Sequence, residues 1–133
     1  IKRMYRMKNK ELPLSPHLQV YKAQMTSAMS IFHRMSGMVL SLGTIIIVWM
    51  LLAAATGPIA YQHFHIVASS WIGQIVFLGW SMALFYHMFN GVRHLFWDMG
   101  YLFKLKNAYA AGYMVLFLAF LATLGLWLKL MLQ

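Results

Sequence analysis

An all-α integral membrane fold with three spanning helices is predicted by two observations. Apolar residues fill 62% of the 133 positions and charged residues 10%, against about 45–50% and about 25% in an ordinary soluble domain. Those apolar residues also gather into three runs, each long enough for the bilayer crossing that takes about 20 helical residues. So small a chain cannot bury that much apolar surface in a core of its own. Most of it must face lipid or partner subunits, which excludes a soluble globular enzyme.

The first span is expected from about Ala28 to Ala55, with Thr26 or Ser27 capping its start through a side-chain oxygen. Gly57 and Pro58 stop it, and a polar connection through Gln62, His63 and His65 follows. The second span runs from about Ile66 to Phe96 and ends near Met99 and Gly100; the third runs from about Ala108 to Leu132. Gly73, Gly79, Gly112 and Gly125 read as close helix approaches. The third span carries no ionisable residue between Tyr113 and Trp127 and reads as scaffold.

Charge orients the spans. Eleven Lys and Arg stand against two acids, Glu11 and Asp98, for a formal net charge of +9. In a soluble protein that balance would suggest nucleic acid; here the basic residues lie outside the apolar runs, and topology is the better reading. Lys2, Arg3, Arg6, Lys8, Lys10 and Lys22 form a basic arm over residues 1–27, the connection from Ala55 to Ser69 has no Lys or Arg, and the next loop has Lys104 and Lys106. The N-terminus and second loop therefore belong on the cytoplasmic or matrix side. Trp49, Trp71 and Trp127 fall near outer boundaries, and Trp97 and Tyr101 near an inner one, as an aromatic belt would place them. Pro13 and Pro16 argue against continuous helix in the arm. Cysteine is absent, so this chain alone offers no thiolate for an iron–sulfur cluster.

Polar residues inside a span cost several kcal/mol unless paired or functional, so they carry the information. Ser30, His33, Arg34, Gly37 and Ser41 fall on one wedge of the first span; His87, Asn90, Gly91, His94 and Asp98 repeat the same spacing on the second. The antiparallel course brings both stripes to the inner leaflet, with His87 about two turns deeper than His94. A deep imidazole has three readings: a structural hydrogen bond, a proton relay, or a metal or haem ligand. Gly91, one turn from His87, would leave room for a flat macrocycle, and a six-coordinate haem would need its second ligand from another chain. The Ser30 hydroxyl and the Arg34 guanidinium read either as helix packing and a boundary anchor, or as a quinone site, where a donor and a cation meet a carbonyl. His94 and Asp98 can equally be a satisfied pair at the interface. The twelve Met residues are most simply flexible filler, and His17, His63 and His65 are assigned no chemistry.

Three blocks make the chain recognisable: Pro13-Leu-Ser-Pro-His-Leu-Gln-Val-Tyr-Lys22, the segment from Ser30 to Gly37, and the segment from His87 to Gly100. With the three-span layout, it resembles the cytochrome b subunits of succinate dehydrogenase, the larger of the two membrane anchors of respiratory complex II. The resemblance implies a haem b shared with the small membrane-anchor subunit, with His87 as axial ligand to the iron and His33, Arg34 and His94 near the propionates. It implies that Ser30, Arg34 and Asp98 line or border a ubiquinone site completed by the small anchor and the iron–sulfur subunit. Leu14 to Lys22 would pack on that soluble subunit. A flavoprotein subunit would oxidise succinate, an activity this chain lacks by itself; the membrane would be the mitochondrial inner or bacterial plasma membrane, and nucleic acid is no partner. A fumarate reductase anchor and a non-redox membrane scaffold remain the competing readings.

Overall fold

The computed structural model describes residues 24–132. The basic arm up to residue 23, including Leu14 to Lys22, lies outside the described residues. Four helices follow in order: α1 (Met25–Thr56), α2 (Pro58–Ser69), α3 (Trp71–Asp98) and α4 (Leu105–Met131). Among the described residues there is no strand, and α1, α3 and α4 are each long and apolar enough to cross a membrane. The all-α membrane fold expected from composition is therefore what forms.

The helix limits differ from expectation for local reasons. Gln24, in extended backbone, precedes α1 without a side-chain cap, so Thr26 and Ser27 lie inside the first turn rather than capping it. Gly57 ends α1 at φ 134°, a conformation L side chains rarely adopt, and Pro58 opens α2 at the position where a missing N–H costs nothing. The polar connection is thus itself a helix. It buries Phe64, which meets Trp49 edge-on at 5.0 Å between ring centres. Residues 66–69, expected to open the second span, belong to α2. The break comes at Ser70, whose Oγ accepts from the Gly73 amide at 3.2 Å and donates to the Val67 carbonyl at 2.6 Å. A Cβ on Gly73 would collide with the Val67 and Ala68 carbonyls, so this glycine serves the turn rather than a helix contact.

The C-terminal end of α3 closes with Gly100 at φ 87°, its amide bonded to the Trp97 carbonyl and that of Tyr101 to the Phe96 carbonyl, each at 2.9 Å. This paired pattern satisfies the last carbonyls and turns the chain into α4.

α4 packs through a strip of small residues, Ala108, Gly112, Val115, Ala119 and Thr123, all buried. Small side chains let helices approach in lipid, where no hydrophobic drive joins them. Gly112 does so against α1: a Cβ there would lie 2.7 Å from Met29 Sδ. Gly79 and Gly125, by contrast, have nothing within 4 Å of a hypothetical Cβ. Among the described residues they make no close approach; Gly43 does, beneath the Trp80 indole. Trp127 turns its Nε1 to Ser81 Oγ at 3.0 Å, so it ties α4 to α3.

Candidate functional site

The line of α1 pressed on its neighbours runs Met29, Ser36, Gly43, one residue in seven, all buried. Relative to Ser30, these residues lie roughly 100–140° round the helix, and His33 about 60° in the same direction. The polar wedge therefore meets α3 with one flank only. His33 reaches the contact, Ser30 is half-buried, and Arg34 and Ser41 are exposed.

On that flank three imidazoles gather. The His33 ring stacks on His87 with centroids 4.0 Å apart and planes 14° from parallel, and lies 5.2 Å from His94. His87 Nδ1 is 3.0 Å from Ser36 Oγ and 3.1 Å from the His33 carbonyl oxygen. The Ser36 hydroxyl commits its proton to the His33 carbonyl at 2.8 Å, and its oxygen is left to accept. Two acceptors around one ring nitrogen fix the proton on His87 Nδ1 and leave the lone pair on Nε2.

Glycines set these distances. A Cβ at position 37 would sit 3.1 Å from His87 Cε1, whereas one at position 91 would meet only His33 Cε1 at 3.9 Å. Gly37 thus makes room for the His87 ring itself, while the space beside Gly91 is nearly open. His33 Nδ1 is buried with no protein partner.

Behind the imidazoles, α3 carries a second polar group. Asn90 is fully buried and Arg93 is 3% exposed. Arg93 donates to Asn90 Oδ1 and to the Ala108 carbonyl of α4, each at 3.2 Å, and its guanidinium lies 4.1 Å from the Trp97 ring centre. Trp97 in turn donates to the Leu102 carbonyl at 3.2 Å. Tyr86 donates to the Met29 carbonyl at 2.9 Å. The wedge reading missed Ser36, Tyr86 and Arg93 because they lie off its centre; the seven-residue spacing of Met29, Ser36 and Gly43 was the available signal. No ion pair joins His94 to Asp98 among the described residues. Asp98 and Arg34 are both exposed, and His94 instead meets Trp97 edge-on at 5.1 Å.

The structure thus brings His33, His87 and His94 together and leaves Ser30, Arg34 and Asp98 at the margin of that cluster. Residues 8–126 match the family described as succinate dehydrogenase/fumarate reductase transmembrane subunit. The chain is similar to the succinate dehydrogenase cytochrome b556 subunit of Paracoccus denitrificans, 42% identical over 100 residues, covering 75% of this chain and 77% of that protein. It is 40% identical over 116 residues to the cytochrome b556 subunit of Rickettsia felis, covering 86% and 90%. Against the cytochrome b560 subunit of Reclinomonas americana the identity is 40% over 122 residues, covering 87% and 84%.

Proposed function

The chain belongs to the succinate dehydrogenase/fumarate reductase transmembrane-subunit family, and from that premise we propose that it is the membrane-anchor cytochrome b subunit of a succinate:ubiquinone oxidoreductase. The observation that carries the reading is His87, whose Nδ1 is held by Ser36 Oγ and the His33 carbonyl while Nε2 stays free to ligate. These residues fit haem b. A porphyrin brings its own equatorial nitrogens, so a single projecting imidazole suffices. No group of three or more His, Cys, Asp or Glu among the described residues is placed to chelate a bare ion. The relatives' names, cytochrome b556 and b560, support the same group.

Bound haem b supplies a one-electron carrier within the membrane. His87 would hold the iron, and the small membrane-anchor subunit would supply a further ligand. His33 and His94, beside it, and Arg34, one turn along α1 from Ser30, would meet the propionates. At the margin, the Ser30 hydroxyl donates to a ubiquinone carbonyl, and Arg34 stabilises the negative charge that grows on that oxygen as the quinone is reduced. Asp98, ending α3 at the same membrane face, borders the pocket. Electrons reach it from succinate through the flavoprotein and iron–sulfur subunits, since this cysteine-free chain holds no cluster of its own. The basic N-terminus and the loop with Lys104 and Lys106 face the matrix or cytoplasm.

The test is to purify the complex through a tag on this chain from its own membranes. The expected material contains flavin and iron–sulfur clusters, shows the sharp visible bands of bis-imidazole ferrous haem, and reduces ubiquinone with succinate. A colourless preparation without succinate-linked activity would overturn the reading.

A further inference from the structure

We infer that Ser36 is a positioning residue for the haem ligand: its hydroxyl oxygen fixes the tautomer and orientation of His87 so that Nε2 faces the iron. The inference rests on the proposed haem ligation and names the group on this chain that prepares it.

The local chemistry leaves one consistent hydrogen assignment. Ser36 and His33 are three residues apart on α1, so the Ser36 hydroxyl reaches back to the His33 carbonyl at 2.8 Å, as serines in helices do. With that proton committed, Ser36 Oγ faces His87 Nδ1 at 3.0 Å as an acceptor. The His33 carbonyl adds a second acceptor at 3.1 Å. Nδ1 must then carry the proton, and Nε2 the lone pair. Ser36 is 7% exposed, so water cannot easily take its place. The stacked His33 ring at 4.0 Å and Gly37 against Cε1 hold the imidazole plane, but neither supplies an acceptor from its side chain. Ser36 is the side chain that does.

Outer-shell acceptors of this kind orient the ligand and raise its basicity. A more basic imidazole favours ferric over ferrous iron. Removing the hydroxyl leaves the His33 carbonyl as the remaining acceptor and lets the ring turn about its axis.

The experiment compares Ser36→Ala, Ser36→Thr and Ser41→Ala in the intact complex, reading the haem midpoint potential and the haem-to-flavin ratio. Ser41 controls for loss of a hydroxyl, because its Oγ bonds only the Gly37 carbonyl of its own helix. Ser36→Ala is expected to weaken the preference for ferric haem by about tenfold, which raises a one-electron potential by ~59 mV, and to lower the haem-to-flavin ratio. Ser36→Thr, which keeps the hydroxyl, should restore most of the shift, and Ser41→Ala should leave the potential unchanged. If Ser36→Ala does not assemble, Ser36→Cys, close in volume but a poor acceptor, should show the same upward shift. An unchanged potential in the assembled Ser36→Ala or Ser36→Cys complex overturns the inference while leaving His87 as the ligand. An unchanged haem spectrum in His87→Ala would instead remove the reading beneath it.

Discussion

Ser30 and Arg34 sit one turn apart on α1, yet the structure treats them differently from His33 between them. His33 is turned into the imidazole cluster, Ser30 is half-buried, and Arg34 is exposed. An exposed guanidinium keeps its donors for a ligand or a partner subunit. Replacing either Ser30 or Arg34 by Ala should therefore lower succinate-driven quinone reduction by roughly 100-fold or more, the scale of losing one oriented donor or cation. Succinate oxidation with a soluble dye should remain intact, and equal loss of both activities would mean that the residues serve assembly instead. The histidines were legible in the sequence because an imidazole in an apolar run has few excuses. Arg93 was not, although it is the most deeply placed charge. Its guanidinium meets Asn90 Oδ1, the Ala108 carbonyl of α4 and the Trp97 face; the Asn90 and Trp97 pairings lie at helical spacing, but the bond to α4 depends on how the helices pack, which spacing alone does not state.

Between α1 and α3, approach is set by small residues beneath large ones. Ser36 and Gly43 lie under His87 and Trp80, and Gly43 has no room for a Cβ beside the indole. Gly43→Ala should force Trp80 aside and destabilise the helix pair by about 1–3 kcal/mol, the usual cost of overpacking. Gly79→Ala, with open space around it, should not. Thermal inactivation of the detergent-solubilised complex distinguishes the two; equal midpoints for both variants would contradict this packing. That three helices are long and apolar enough to cross a membrane was readable in the sequence, because apolar runs of that length report it directly. Gly112 packs as its place in the span suggested, but which other glycines pack was not legible, since glycine in a spanning helix looks the same whether it faces a neighbour or lipid. α2 was missed as well, because its mixed residues resemble a loop until Pro58 and Ser70 are seen to start and end it.

The molecule as a whole is incomplete by its own surface. Leu42 and Ile45 of α1 are each 67% exposed, and Tyr113 of α4 is 64%, as expected where lipid or further subunits cover the helices. The imidazole cluster likewise lies at one flank of the bundle rather than enclosed within it, which suits a prosthetic group shared across an interface. Composition suffices to make the membrane character readable. The pairing of α1 with α3 that turns three separate histidines into one site depends on helix rotation, which no single sequence states. The measurement that bears most directly on haem ligation is the reduced-minus-oxidised absorption spectrum of the purified complex carrying His87→Ala. Ligation through His87 predicts loss of the haem b bands, or their conversion to those of a five-coordinate haem, with flavin content retained. An unaltered bis-imidazole spectrum would contradict it.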